Sequence, residues 1–185
     1  MNTPKLVCLM GAESTGKTTL AQALAARFSC PWVPEYLRSF CQAHQRTPQR
    51  HEQSLILETQ HIHVLAARED AARHGAPFVF CDTAPLLTAI YSEDVFGDAS
   101  LLPRGRTLQR IYALTLLCEA DLEWAADGFM RDGPAAQARI QTALARELAT
   151  PGRTAGESCW QVIRGKGASR ADAAIHAILA LPGAA

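Results

Sequence analysis

The segment from Gly11 to Thr18 constrains the fold of this chain more than any other feature. It reads G-A-E-S-T-G-K-T, fits the pattern G-x-x-x-x-G-K-[ST], follows the apolar run Lys5–Met10 and leads into a helical stretch. A glycine-rich turn in this position lets backbone N–H groups surround phosphate oxygens at the positive end of the helix. The pattern therefore predicts a phosphate-binding loop, and the simpler alternative is a glycine-rich helix cap.

Several residues of this loop have predicted roles in nucleotide binding. Lys17 is expected to bridge the β- and γ-phosphates, and the Thr18 hydroxyl is expected to bind Mg²⁺. The residues expected to bind ATP are Gly11, Glu13, Ser14, Thr15, Gly16, Lys17, Thr18 and Thr19.

Short apolar runs alternate with helical stretches along the rest of the chain. The runs predicted to be buried strands are Lys5–Met10, Trp32–Val33, Pro77–Cys81, Ile111–Cys118 and Cys159–Arg164. The predicted helices are Lys17–Phe28, Gln49–His74, Gly133–Ala149 and Ser169–Leu181, and the predicted surface loops are His44–His51, Gly97–Arg106 and Thr150–Glu157. This alternation predicts one α/β domain over residues 1–185, with a parallel sheet covered by helices on both faces.

Composition narrows the range of partners. The 185 residues include 18 Lys and Arg against 18 Asp and Glu, so the charge predicts neither a nucleic-acid partner nor an acidic membrane surface. The six cysteines form no C-x-x-C pair, so we expect reduced core residues rather than zinc ligands. No apolar run approaches the roughly 18 residues of a membrane span. We therefore expect a cytoplasmic protein, and no pattern indicates its oligomeric state.

Charged residues follow two of the predicted strands, at the sheet edge where open α/β folds bind ligands. Glu35 and Arg38 are three residues apart, so they can share a helix face. Glu35 could take the proton of an attacking hydroxyl while Arg38 holds a phosphate, or the two could form an exposed ion pair. Asp82 ends a buried strand and could hold Mg²⁺ through water or contact a substrate hydroxyl, or it could cap the helix after Pro85.

Two later segments are candidates for nucleotide contacts. Arg131 and Arg139 flank the Gly133-Pro134 break, so a lid at about 125–140 could close over the nucleotide and bring guanidinium groups to the γ-phosphate. Solvated surface arginines are the alternative. The segment from Gly165 to Arg170 follows the last strand and could pack against adenine, although an ordinary turn explains it equally well.

Other patterns separate the classes of protein that contain such a loop. No N-K-x-D occurs, so a Ras-like switch is not expected and D-V-F-G at Asp94–Gly97 is a chance match. The short chain also disfavours a motor or a AAA-type ring protein. A small-molecule kinase that uses ATP and Mg²⁺ is the class that the residues favour.

Five motifs spread over nearly the whole chain carry a family resemblance. They are G-x-E-S-T-G-K-T at Gly11–Thr18, E-Y-x-R at Glu35–Arg38, D-T at Asp82-Thr83, Y-x-L-x-L-L-C at Tyr112–Cys118, and D-L-x-W-x-x-D-G at Asp121–Gly128 with R-D at Arg131-Asp132. Together they resemble the ribosylnicotinamide kinase domain of the NadR family, a P-loop kinase related to deoxynucleoside and nucleoside monophosphate kinases.

The resemblance implies a P-loop three-layer α/β/α fold with a five-stranded parallel sheet in the order 2-3-1-4-5, and ATP-dependent phosphorylation of the 5′-hydroxyl of nicotinamide riboside in NAD salvage. It implies roles for Lys17, Glu35, Asp82, Arg131 and Arg139 in catalysis, for Glu35, Tyr36, Arg38, Asp82 and Thr83 in binding the nucleoside-like acceptor, and for Thr18 and Asp82 in binding metal.

The chain departs from the family at Ala84, where an acid is common, and by one extra residue before Arg131. A kinase for another nucleoside or small metabolite, and a regulatory protein that binds ATP without catalysis, are the alternatives.

Overall fold

Five parallel strands form the centre of the computed structural model, which describes residues 3–123, 133–150 and 159–183. The strands are β1 (Lys5–Met10), β2 (Trp32–Val33), β3 (Phe78–Asp82), β4 (Leu114–Cys118) and β5 (Cys159–Ile163). Their order is β2-β3-β1-β4-β5, and each neighbouring pair is parallel. The predicted fold class and strand order are therefore confirmed.

Helices connect the strands, as parallel pairing requires. They are α1 (Lys17–Phe28), α2 (Tyr36–His44), α3 (Gln53–Arg73), α4 (Pro85–Phe96), α5 (Leu102–Gln109), α6 (Pro134–Ala149) and α7 (Gly167–Leu179). Short 3₁₀ turns at Arg50–Glu52 and Ala99–Leu101 precede α3 and α5.

The two faces of the sheet bury different sets of residues because successive side chains of a strand point in opposite directions. Leu6, Cys8 and Met10 of β1 belong to a core cluster with residues of α3, α4, α5 and α6. Val7 and Leu9 belong to the second cluster, with residues of α1 and α7. The sheet is therefore the middle of three layers, and β1 is buried on both faces.

The predicted loop Gly97–Arg106 is wrong over its second half, where α5 begins at Leu102. Pro103 lies in the first turn of that helix, where its missing N–H group costs no hydrogen bond. A Cβ atom added to Gly105 would lie 3.1 Å from the Cβ of Ala89 in α4, so this glycine permits close packing of two helices. In the sequence, Pro103 and Gly105 indicate a loop. In the structure, Pro103 lies at the start of α5 and Gly105 lies at its contact with α4.

The prediction of buried cysteines is correct for five of the six residues and wrong for Cys159, which is exposed. Cys159 begins β5, an edge strand that pairs with β4 alone, and the first three residues of β5 are exposed. Among the helices of the described ranges, none combines the length and the apolar composition that crossing a membrane requires.

Candidate active site

Two glycines give the loop between β1 and α1 its shape. Gly11 has φ 150° and Gly16, which precedes α1, has φ 75°, values that L side chains rarely adopt. A Cβ atom at Gly11 would lie 2.8 Å from the backbone oxygen of Cys118, and one at Gly16 would lie 2.9 Å from Leu122 Cδ1. The loop therefore approaches β4 and the segment after it more closely than any other residue type allows.

Contacts within the loop hold its lysine at the cavity. Lys17 Nζ donates a hydrogen bond to the backbone oxygen of Ala12 at 2.7 Å, and the Thr15 hydroxyl donates to the same oxygen at 2.8 Å. The lysine side chain thus folds back over the loop, in the position from which an ammonium group can reach phosphate oxygens bound there.

Two glutamines of α6, one helical turn apart, hold the start of the loop from the other side. Gln137 Nε2 donates to the backbone oxygen of Glu13 at 2.7 Å. Gln141 accepts from the backbone N–H of Ala12 at 3.1 Å and donates to the backbone oxygen of Cys118 at 3.0 Å. The sequence analysis did not identify these glutamines, since only the packing of α6 beside β4 brings them to the loop.

Arg170 lies behind the loop. Its side chain is buried, and it donates to the backbone oxygens of Thr15 at 2.5 Å, Gly165 at 2.7 Å and Glu119 at 3.2 Å. It also contacts the carboxylate of Asp121, which accepts from the N–H of Gly165 at 2.7 Å. Gly165 and Arg170 were predicted to bind the nucleotide, but the structure places them in a network that supports the loop from the rear.

Asp82 at the end of β3 meets the first turn of α1. The Thr18 hydroxyl donates to Asp82 Oδ2 at 2.6 Å, while the other carboxylate oxygen is buried without a hydrogen-bond partner in the described residues. Burial raises the pKa of Asp82, opposed by the Thr18 hydrogen bond and by the charges of Lys17 and Arg38. The N-cap residue of α4 is Ala84 and no side chain caps this helix, so the alternative in which Asp82 caps it is wrong.

Glu35 precedes α2 and lines the same cavity as the phosphate-binding loop. Its backbone is extended and its side chain forms no cap hydrogen bond, so the carboxylate is available to the cavity. Although the side chain keeps some solvent exposure, the surrounding protein removes enough water to raise the pKa of Glu35. The charge of Asp82 raises this pKa further, whereas Lys17 and Arg38 lower it.

Gln60 of α3 holds the backbone on both sides of Glu35, and the sequence analysis missed it. Gln60 Oε1 accepts from the N–H of Tyr36 at 2.7 Å, and Nε2 lies 3.4 Å from the backbone oxygen of Pro34. The Gln60 side chain is buried. The sequence signal that could have indicated it is a polar residue at helical spacing from Leu57 and Val64, on the apolar side of the helix.

We expect Gln60→Leu to lower the free energy of unfolding by about 1–3 kcal/mol, because it leaves the Tyr36 N–H and the Pro34 oxygen without their partner. Urea unfolding of the variant and the unchanged protein measures the difference. Gln42→Leu, at an exposed position of α2, is the matched control. Equal stability of Gln60→Leu and the unchanged protein would contradict the role of Gln60 in holding the backbone on both sides of Glu35.

A cavity of about 500 Å³ joins the loop to the acidic residue after β2. Its polar wall contains loop residues 13–19, Glu35 and Arg38, and its apolar wall contains Leu37, Pro48, Leu87, Val95 and Phe96. The structure thus brings Lys17, Glu35 and Arg38 to one space. The remaining predicted residues in the described ranges do not line it: Gly11, Tyr36, Asp82, Thr83, Arg139, Gly165 and Arg170.

Tyr36 and Thr83, both implied acceptor contacts, lie outside this cavity. The Tyr36 ring packs edge-on against His63, with 5.5 Å between ring centroids. Thr83 is buried with φ 76°, a costly conformation for a β-branched residue, and its N–H donates to the backbone oxygen of Leu9 at 3.0 Å. Thr83 therefore shapes the turn after Asp82.

Arg139 forms a two-pronged ion pair with Asp94 of α4, with both N···O distances 2.9 Å. The sequence analysis expected Arg139 at the γ-phosphate, but the structure shows it joining α6 to α4 at an exposed position. Arg131 and the first half of the predicted lid at 125–140 lie outside the described residues.

The fold and this site can be compared with known proteins. The family model described as AAA_28, AAA domain, matches residues 6–170. No curated protein sequence matches the chain significantly. The short length of the chain disfavours a AAA-type ring protein, and the match to a AAA domain does not test whether the chain forms a ring.

Solved structures that share the fold include two of NadR protein and one of a thymidylate kinase. Structures of NadR protein in complex with NR and in complex with NAD and AMP-PNP align with 98% of this chain at TM-scores of 0.72 and 0.73, with 22% and 23% identity. The chain spans about half of their length, 52% and 50%. Thymidylate kinase from Candida albicans aligns with 96% of this chain and 91% of its own, at a TM-score of 0.56 and 13% identity. The resemblance to a NadR-like P-loop kinase is thus confirmed for the fold.

Proposed function

The chain belongs to the AAA domain family, and we propose that it is an ATP-dependent kinase of a small molecule, acting on the 5′-hydroxyl of nicotinamide riboside. One observation carries the proposal: the phosphate-binding loop and the candidate base Glu35 face a single cavity that is large enough for a nucleoside. A kinase needs this arrangement, since donor phosphate and acceptor hydroxyl must meet.

The residues at the end of β3 fit a magnesium ion. Mg²⁺ prefers oxygen ligands, keeps several waters, and is commonly held by one or two protein groups together with the phosphates. The Thr18 hydroxyl and the Asp82 carboxylate supply such oxygens 2.6 Å apart, and one Asp82 oxygen is buried without a partner among the described residues. Mg²⁺ held by these oxygens would neutralise charge on the phosphate oxygens.

The side chains at the cavity divide the remaining tasks. Lys17 and the backbone of the loop position the phosphates, and Arg38 orients the acceptor or a phosphate. The acceptor hydroxyl gives its proton to the Glu35 carboxylate while its oxygen bonds to the γ-phosphorus. The bond from that phosphorus to the β–γ bridging oxygen breaks at the same time, and ADP leaves.

The choice of nicotinamide riboside is supported by the motifs of the chain and by the fold it shares with a NadR protein that was solved with NR. Ala84 favours a different acceptor. It is fully buried at a position where the NadR family commonly has an acid. A kinase for another nucleoside is therefore the second candidate. A role in NAD salvage and a cytoplasmic location are part of the proposal.

The deciding experiment measures ADP formed from Mg-ATP with and without nicotinamide riboside, with adenosine, cytidine and thymidine as parallel acceptors. We expect stimulation by nicotinamide riboside. Stimulation by another nucleoside alone would support the second candidate. No stimulation by any of the four would contradict the proposed nicotinamide riboside kinase function and favour either an acceptor of another class or a regulatory ATP-binding protein.

We expect Asp82→Asn to raise the Mg²⁺ concentration needed for half-maximal ADP formation by about 10–100-fold, because an amide lacks the charge that attracts and orients the ion. A magnesium titration at saturating ATP and acceptor measures this shift. The control is Asp70→Asn, at an exposed position of α3, which should leave the titration unchanged. An unshifted curve for Asp82→Asn would remove Asp82 from the metal site.

A further inference from the structure

The carboxylate of Glu13 is an unusual group to find in a phosphate-binding loop. Phosphate oxygens and an ionised carboxylate are both anionic and both only accept hydrogen bonds, so the Glu13 side chain cannot bind a phosphate directly. The nucleotide contact expected of this residue from the sequence can therefore come from its backbone but not from its carboxylate. Its side chain needs another explanation.

Tyr91 of α4 fixes the direction of this carboxylate. The Tyr91 hydroxyl donates to Glu13 Oε2 at 2.8 Å, and Gln137 holds the backbone oxygen of Glu13 at 2.7 Å. Both ends of Glu13 are thus anchored by other elements of the fold. A side chain held in this way is positioned in advance for a ligand.

The Glu13 carboxylate has spare capacity as an acceptor. A carboxylate offers about four acceptor positions. Within the described residues, Oε2 accepts from Tyr91, and Oε1 is buried without a hydrogen-bond partner. An anionic acceptor left in this state is costly, and a donor supplied by a ligand would lower that cost.

The cavity wall that contains Glu13 faces away from the rear of the loop. Glu13, Thr88 and Tyr91 line the cavity together with Glu35 and residues of α2, whereas Gly165 and Arg170 behind the loop do not. If the proposed function is correct, Glu35 lies beside the hydroxyl that is phosphorylated. Glu13 then lies on the acceptor's side of the cavity.

We propose that Glu13, oriented by Tyr91, accepts a hydrogen bond from the 2′- or the 3′-hydroxyl of the acceptor's sugar, so that the site selects ribosides over the deoxy analogue that lacks this hydroxyl. The inference rests on the proposed function and goes further by naming the group that is recognised. An O–H or N–H donor would satisfy the carboxylate, and a nucleoside acceptor brings such hydroxyls at the 2′ and 3′ positions of its sugar.

The test compares kcat/KM for each riboside that stimulates ADP formation with kcat/KM for its 2′-deoxy and 3′-deoxy analogues. We expect the unchanged protein to prefer the riboside over at least one analogue by about tenfold or more, since that analogue leaves the buried oxygen Oε1 of Glu13 without a donor. Glu13→Ala should bring that ratio close to one, mainly by lowering kcat/KM for the riboside. Tyr91→Phe should reduce the ratio in part.

Each ratio is measured on one preparation of one variant, so a general loss of folded protein cancels from it. Glu58→Gln, at an ion pair on the outer surface of α3, is the control and should keep the ratio of the unchanged protein. An unchanged ratio in Glu13→Ala, or equal use of riboside and both analogues by the unchanged protein, would overturn the inference while leaving the kinase function in place.

If no nucleoside stimulates ADP formation, the proposed function fails separately, and calorimetric titration of adenosine and of its 2′-deoxy and 3′-deoxy analogues into the protein still decides the inference. Tighter binding of adenosine that Glu13→Ala abolishes would support it. Absence of binding, or equal binding of all three, would overturn it.

Discussion

Glu35→Gln is expected to lower kcat for acceptor-dependent ADP formation by about 10²–10⁴-fold while the affinity for ATP changes little. The amide keeps the size of the side chain but cannot take the proton of the acceptor hydroxyl. ATP binding should persist because it depends on the loop from Gly11 to Thr18 and on α1, to which the Glu35 side chain contributes no hydrogen bond within the described residues.

Single-turnover rates with saturating acceptor, together with titration by a non-hydrolysable ATP analogue, separate the two effects. Glu69→Gln, at an exposed position of α3, is the matched control and should leave both unchanged. A kcat for Glu35→Gln within about threefold of the unchanged protein would remove Glu35 from the role of base. Asp82, a buried carboxylate near the loop, would then be the next candidate.

The pH dependence of the same reaction gives an independent reading of Glu35. Enclosure by the protein raises its pKa above the ordinary value of 4.5, and the nearby Asp82 charge acts in the same direction. A base must be ionised to accept a proton, so we expect kcat/KM to fall as the pH decreases through this raised pKa and to reach its plateau above it. Glu35→Gln should lose this acid limb, whereas a limb that persists in the variant would assign it to another group.

Arg170→Ala is expected to lower the free energy of unfolding by about 2–4 kcal/mol, the largest effect on stability that we expect from a single substitution here. The guanidinium is buried, and its loss leaves the backbone oxygens of Thr15 and Gly165 without this donor. Asp121 would also lose its partner, but its partial exposure lets water compensate for some of that loss.

Urea unfolding with linear extrapolation measures this change, and the apparent affinity for ATP should fall with it because the loop loses its support at Thr15. Arg164→Ala is the control, since Arg164 is largely exposed and its nitrogen lies 3.5 Å from Glu119. We expect that substitution to change stability by less than about 0.5 kcal/mol. If Arg170→Ala and Arg164→Ala lowered the free energy of unfolding by similar amounts, the network behind the loop would contribute no more to stability than an exposed ion pair does.

The strands of the sheet could be predicted well from the sequence, because the residue patterns that indicate strands and helices are local. Each strand is a short apolar run, each long helix has apolar residues at helical spacing, and parallel strands buried on both faces need no polar alternation. The prediction failed where one residue type serves two purposes. Pro103 and Gly105 look like loop residues in isolation, yet one starts α5 and the other lets it pack closely against α4.

The candidate site likewise contains residues that could be predicted from the sequence and residues that could not. The loop from Gly11 to Thr18 could be read directly, because its glycines and its lysine are adjacent in the chain and their spacing is itself the signal. Glu35 and Asp82 could be proposed because each follows a strand, and parallel strands present their carboxyl ends at one edge.

The sequence by itself thus determined the fold class, the strand order expected from the resemblance, and the position of the phosphate-binding loop. Only the tertiary structure decided which side chains face the cavity: it directed Arg139 to Asp94, Arg170 to the rear of the loop and Tyr91 to Glu13. The physical reason is that long polar side chains bind whichever partner the packing of distant elements brings within about 3 Å, and no local pattern records that partner.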